Sequence, residues 1–421
     1  MSLDADPAVP VPVPIRTRLG RARHRTFSSL GSRNYRLFFF GQLVSNTGNW
    51  LTIVALTLLV LHRTNSGVAV GALSACQFGP ILLLSAWAGA IADRHDKRRL
   101  LFLTQSLEML QSAALAVLAF LPHAPLGALF ATAFAGGIFL SFDNPLRRSF
   151  VTEMVPREEM TNAVALYSAM VNASRIFGPA LAGVLVVAFG FGWGFTVDSA
   201  SYVFVIAALA MMRTAELRRA PPPERTKGEI RAGLRYVASQ PNLRISFIML
   251  AVVGVLGYNL NVGLPLFVEH SLHRGDAAFT LLYSLFSTGA LVSALVVAGR
   301  SLVRLRHILI GAAAFGIANL LLAPAPNIAL AIPAVLLVGV TSIMYMTATT
   351  AIVQVEADPS MHGRILALQA VLLVGSAPIG GPLVGIIADL AGARAPLVMG
   401  GVASIAAAAW GWSAARKAAR A

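Results

Sequence analysis

The chain has 421 residues, 57% hydrophobic and 12% charged, with a formal net charge of +15. A soluble domain carries about 25% charged residues, so a protein wetted on all sides is excluded. The basic excess does not point to nucleic acid, because the positive residues gather in short segments between apolar runs, a signature of membrane topology rather than of a binding face.

In chain order, residues 1–33 read as a disordered basic tail, Pro-rich from Pro7 to Pro14 and then Arg-rich. No apolar core precedes Leu37, so this is not a signal peptide, and its arginines are expected on anionic lipid. Apolar runs of roughly 20 residues follow, each enough to cross ~30 Å of hydrocarbon. They are too long for barrel strands, and backbone in lipid must satisfy its own hydrogen bonds, so they are helices. Helices 1 to 6 are predicted over 37–61, 68–92, 100–121, 126–142, 160–189 and 193–212. Helices 7 to 12 are predicted over 243–268, 277–298, 305–322, 328–355, 363–390 and 396–412. The fold class is therefore an all-α multipass membrane protein with twelve transmembrane helices. Two six-helix bundles, 34–213 and 242–413, are joined by a linker over 214–241 and followed by a tail over 414–421.

Lysine and arginine counts orient the chain. Of the 33, 29 fall in the tails, the linker and the loops after even-numbered helices, while Arg63, Arg274 and Arg394 occupy the other loops and Arg175 lies inside helix 5. By the positive-inside rule both termini are cytoplasmic, in the cell membrane. The halves also repeat. Glu153, Pro156 and Gly178-Pro179 recur as Glu356, Pro359 and Gly381-Pro382, each at an offset of 203. Six-helix halves related by an axis along the membrane normal are a transporter architecture, with the substrate site expected between them near the midplane.

Between helices 2 and 3 stands Gly89-Ala-Ile-Ala-Asp93-Arg94-His95-Asp96-Lys97-Arg98-Arg99. It resembles the signature of the major facilitator superfamily: a glycine, Asp-Arg and a basic cluster. Asp96 stands where the family usually has a glycine. The stretches 41–50, 143–148, 155–159 and 175–183 resemble the drug-exporter branch that includes the enterobactin exporter and macrolide-efflux proteins. The resemblance implies a multipass exporter, usually driven by proton exchange. It also implies a conformational latch. Asp93, with Arg94, would tie helix 2 to the start of helix 11 near Gly363 and to Arg147 or Arg148 when the cavity faces outward. The physics fits, since an anion favours a helix N-terminus and a bidentate arginine partner.

Other candidates come from the residues themselves. Arg175 lies near mid-bilayer, where a charge costs at least ~2.5 kcal/mol, so it faces protein or water. It shares a helix face with Asn172 and Pro179. An arginine cannot shuttle protons, but it can bind an anionic group or a carboxylate. Glu108, Asp198 and Asp143 are candidates for the coupling proton, against the plainer reading that each makes a packing hydrogen bond. Gln42, Ser45, Asn49 and Thr52 form a polar stripe on helix 1. With Tyr258 and Asn261 of helix 7 they are expected to line the cavity, the alternative being interhelical hydrogen bonds. Gly178, Pro179 and Gly183 of helix 5, with Gly381, Pro382 and Gly385 of helix 11, let those helices bend and pack closely. Cys76 reads as a packing residue, and Glu269-His270…His273 is too weak a pattern to name a metal site.

No phosphate loop surrounds any of the three lysines, Lys97, Lys227 and Lys417, which argues against an ATP-driven pump. The expected function is a secondary exporter, not an enzyme. It would move a small amphipathic molecule in exchange for protons, with no cofactor beyond the proton gradient, no nucleic-acid partner, and as a monomer in the bilayer. A proton-coupled importer is the alternative.

Overall fold

The computed structural model describes residues 27–218, 229–297, 304–358 and 361–418. Among them are twelve helices long and apolar enough to cross a membrane. The first half holds α1 (Arg33–Thr64), α2 (Gly67–Arg94), α3 (Lys97–Phe120), α4 (Leu126–Val151), α5 (Met160–Phe189) and α6 (Phe191–Ala210). The second holds α7 (Pro241–Ser271), α8 (Asp276–Val297), α9 (Leu305–Leu322), α10 (Ile328–Glu356), α11 (His362–Ala391) and α12 (Ala395–Ala418). A short helix, Glu229–Ser239, leads into α7.

Local chemistry sets the tight connections. Asn65 takes the left-handed conformation (φ 48°) that ends α1, and Ser66 caps α2, accepting from the Ala69 amide at 3.4 Å. Asp96 caps α3 by accepting from the Arg99 amide at 3.1 Å. The residue that departs from the family glycine therefore has a local task, the satisfaction of an orphan helix amide. Gly190 and Gly392 end α5 and α11 with φ of 87° and 89°, a conformation glycine adopts without strain. The same stop thus closes equivalent helices of the two halves.

Successive spans alternate in direction, which sorts the connections to two ends. The charged end carries both termini and the connections after even-numbered helices; the far end carries the rest. Outward faces are apolar, with Leu83, Leu295 and Leu390 at least 70% exposed.

Several expected boundaries move. The first helix starts at Arg33, and Ser29, assigned to the disordered tail, is buried and donates to Asn162 Oδ1 at 2.7 Å. Residues 1–26 of that tail and 219–228 of the linker lie outside the described residues. The last helix runs to Ala418 rather than stopping at 412, so most of the expected tail is helical. Helix 4 does not stop at 142 but continues through Pro145 to Val151. The span α7 breaks at Tyr258 and Asn259 (φ/ψ −98/25° and −109/46°). The Asn259 amide donates back to the carbonyls of Gly254 (3.2 Å) and Val255 (2.9 Å), serving groups that a broken helix in lipid cannot leave open.

The halves meet along α2 with α11 and α5 with α8. A Cβ on Gly71 would lie 2.7 Å from the Cα of Pro382, and one on Gly381 would lie 2.9 Å from the Ser74 side chain. Only small residues allow backbones this close. Gly183 is likewise pressed against Thr280 of α8. The expected role of these glycines in close packing therefore has a location, the seam between the halves. Gly385 abuts the Gly67 carbonyl in that seam. Gly178 packs inside the first half, where a Cβ would stand 2.8 Å from the Thr47 carbonyl.

Candidate functional site

A cavity of about 140 Å³ lies between the halves, and both contribute walls: Trp50, Phe78 and Arg175 from one, Tyr258, Asn261 and Phe286 from the other. Among the described residues its lining includes no aspartate or glutamate. The Arg175 guanidinium sits 5.3 Å from the Trp50 ring centroid and 6.0 Å from that of Phe286. Its Nε is buried without a hydrogen-bond partner. A guanidinium held between ring faces, hydrogen-bonded to Tyr283 but with its Nε donor unspent, and with no carboxylate among the described lining residues, suits a ligand that brings an acceptor.

Tyr258 and Asn261 are in the lining, as expected. The break in α7 puts them there, and Pro265 offers no N–H to the Asn261 carbonyl four residues back. Asn172 and Ser168, three and seven residues before Arg175, share its helix face. Both are exposed, and Asn172 donates to the Ser168 carbonyl at 2.9 Å. Neither is among the residues that line the cavity.

The polar stripe on α1 is not cavity lining. Gln42 and Ser45 are fully buried and Thr52 is 7% exposed. Ser45 donates to Gln105 (3.4 Å), Asn49 to the Tyr202 hydroxyl (3.3 Å) and Thr52 to Asp198 (2.6 Å). The stripe faces α3 and α6, because buried polar groups on those helices needed partners. Ser45, Asn49 and Thr52 thus make the interhelical hydrogen bonds of the alternative reading, while both polar side-chain atoms of Gln42 are buried with no partner.

Asp143 of α4, Glu108 of α3 and Arg147 of α4 form one cluster, each at most 3% exposed. Arg147 Nε pairs with Asp143 one turn earlier, and its Nη2 donates to Glu108 Oε2 at 3.2 Å. Nη1 donates to Asn46 at 3.3 Å. Gln105 Nε2 bridges both acids, at 2.7 Å to Asp143 and 3.1 Å to Glu108, while Thr104 donates to Asp143 at 3.0 Å. Arg147 therefore does not face the loop as a partner for Asp93. The continued α4 turns it inward, where a buried arginine needs carboxylates. Arg148 stays exposed, as does Arg94.

Asp198 of α6 is a separate case. It is 1% exposed and surrounded by hydroxyls, accepting from Thr52 (2.6 Å), Ser112 (2.7 Å) and Ser201 (3.5 Å). Asp93 stands one residue before the end of α2; its side chain lies outside the described residues. Gly363 at the start of α11 is exposed, and a Cβ there would meet nothing within 4 Å.

Sequence reasoning missed the aromatic clasp on Arg175 and the bridge from Lys97 to Glu153, which ties the start of α3 to the α4–α5 loop. Glu153 had a signal. Its counterpart in the repeat, Glu356, accepts from Asn242 at 2.8 Å, so both halves brace the charged end with an acid at this place.

The family profile described as transmembrane secretion effector matches residues 24–419. The chain is 26% identical over 378 residues to the staphyloferrin A transporter of Staphylococcus aureus, covering 88% of this chain and 93% of that protein. It is 26% identical over 392 residues to the multidrug efflux pump Tap of Mycolicibacterium fortuitum, covering 88% and 94%. A solved structure with a similar fold is a bacterial homolog of the human lysosomal transporter Spinster in an inward-facing, occupied conformation. Its TM-score is 0.70 at 15% identity, covering 91% of this chain and 97% of that one.

Proposed function

The chain belongs to the transmembrane secretion effector family of the major facilitator superfamily, a family of membrane transporters rather than enzymes, and from that premise we propose that it is a proton-coupled exporter of a small amphipathic molecule. The cargo class is a drug, siderophore or secondary metabolite. It works as a monomer in the cell membrane, with both termini in the cytoplasm and the two halves rocking about the cavity.

The observation that carries this reading is the asymmetry of the seam. Polar contacts between the halves cluster at the far end, where Asn65 meets His270 at 2.7 Å and His62 meets Asp276 at 2.9 Å. At the charged end the described polar contacts, Lys97 with Glu153 and Asn242 with Glu356, each join elements of one half. A cavity closed outside and open inside is the loading state of an exporter. Arg175 with Trp50 and Phe286 receives an acidic or electron-rich part of an amphipathic cargo, and Tyr258 with Asn261 supplies hydrogen bonds. The buried cluster supplies the coupling. Two carboxylates share one guanidinium, so the group is neutral when it holds one proton, and unbalanced charge is costly there. Binding and release of that proton bias the packing of α3 against α4 and so the two conformations. Asp93 and Arg94, with the exposed Arg148, form the inner latch of the opposite state.

The test is transport in inside-out vesicles carrying the protein, with drug and siderophore candidates chosen by a susceptibility screen of a deletion strain. An imposed proton gradient should drive accumulation, and an uncoupler should abolish it. Accumulation that persists under ATP with the gradient collapsed would refute proton coupling. Proton-driven movement of cargo only in the opposite direction would make the protein an importer.

A further inference from the structure

At the far end a carboxylate of one half binds a helix start of the other. Asp389, two residues before the end of α11, reaches across the seam to the N-terminus of α2. One oxygen accepts from the Gly67 amide at 2.6 Å; the other accepts from the Val68 amide at 3.0 Å and the Ser66 hydroxyl at 2.9 Å. Ser66 alone caps α2 through one long bond, at 3.4 Å, so the first turn takes its principal cap from the other half of the molecule. Two free amides and the positive end of the helix dipole make this a favourable place for a carboxylate.

A sequence relation makes it more than a local brace. Asp389 ends the stretch Gly385-Ile386-Ile387-Ala388-Asp389, and Asp93 ends Gly89-Ala90-Ile91-Ala92-Asp93. Both read Gly-x-Ile-Ala-Asp, and both close a helix of the same pair. The helices α2 and α11 run antiparallel across the seam, so the terminal aspartate of each lies at the end where the other begins. At the far end the glycine of the motif is what permits the approach, since Gly385 abuts the Gly67 carbonyl.

We propose that α2 and α11 form a reciprocal latch in which Asp389 caps α2 while the far end is closed and Asp93 caps α11 while the charged end is closed. Only one cap is made at a time, because rocking separates one pair of ends as it joins the other. The two aspartates then set the balance between the conformations with opposite sign. The inference rests on the alternation of access proposed above and on no particular cargo.

The test reads conformation directly. Cys76 is the single cysteine, so Cys76→Ser with Ala377→Cys places one thiol in the cavity wall. Its labelling by a membrane-impermeant maleimide added to intact cells reports opening of the far end. Removing a charge-assisted cap should shift a two-state equilibrium by about tenfold. Asp389→Asn should therefore speed labelling by about that factor, Asp93→Asn should slow it, and the double variant should lie between. Should Asp389→Asn fail to reach the membrane, Ser66→Ala removes one of the three contacts and should speed labelling by a smaller factor. If Asp93→Asn changes the rate while neither Asp389→Asn nor Ser66→Ala does, the outer latch is overturned and alternation survives. If no variant changes it, both fall.

Discussion

Arg147 and Glu108 meet at 3.2 Å across the α3–α4 interface while Arg147 also pairs with Asp143 on its own helix. Two buried carboxylates are thus held by a single cation. Removing that cation leaves two buried carboxylates uncompensated, and breaking a buried pair from one side costs about 3–5 kcal/mol. Arg147→Ala should sharply lower the amount of protein in the membrane and its melting temperature in detergent. Arg147→Ala protein that melts with the parent would show that the cluster is open to water.

Glu108→Gln removes the surplus acid and keeps the shape. The remaining Asp143–Arg147 pair balances, so the variant should reach the membrane in normal amount. If the cluster carries the coupling proton, uphill transport driven by an imposed gradient should fall by more than about tenfold. Exchange of labelled for unlabelled cargo, which needs no net proton movement, should continue. Unchanged uphill transport would remove Glu108 from the coupling step.

Asp198 invites the opposite expectation. Hydrogen bonds to an ionised acceptor contribute about 1.5–3 kcal/mol against about 1 kcal/mol for neutral ones. Three hydroxyls converge on it, so Asp198→Asn should lower thermal stability by roughly 1–3 kcal/mol while leaving the proton-to-cargo ratio unchanged. A changed ratio, measured from the pH dependence of the cargo gradient at equilibrium, would make Asp198 the carrier instead.

The sequence made some of this plain and hid the rest for physical reasons. Hydrocarbon thickness dictates helix length, so twelve spans were legible from apolar runs alone. The stripe Gln42–Thr52 announced that α1 needed polar company, but a polar residue in lipid is served equally by a cavity or by partners on packed helices, here Gln105 of α3 and Asp198 and Tyr202 of α6. Asp143-Asn144-Pro145 reads as a stop in a soluble chain. In a membrane bundle neighbouring groups support a helix through a proline, and this concealed the inward turn of Arg147. The break in α7 had only Asn259 and Pro265 to mark it, in a segment apolar on both sides.

Arg175 yields the last prediction. Its contacts in the cavity are ring faces and the Tyr283 hydroxyl rather than carboxylates, so the fold depends on it little, and a cation over an aromatic ring contributes about 0.5–2 kcal/mol. Arg175→Gln keeps a polar side chain but loses the charge, part of the reach and three of the five N–H donors. It should fold and insert normally and should raise the concentration for half-maximal transport of an anionic cargo by about tenfold, as loss of one charge-assisted contact of ~1.5 kcal/mol requires. Maximal velocity should change less, because the proton cluster is untouched. Lysine should rescue only part of the loss, since an ammonium keeps the charge but not the planar stacking between Trp50 and Phe286. The measurement is a saturation curve for each variant in vesicles with matched protein content. Equal half-saturation in all three proteins would place the cargo away from Arg175. A fall in maximal velocity without a change in half-saturation would assign Arg175 to the conformational step instead.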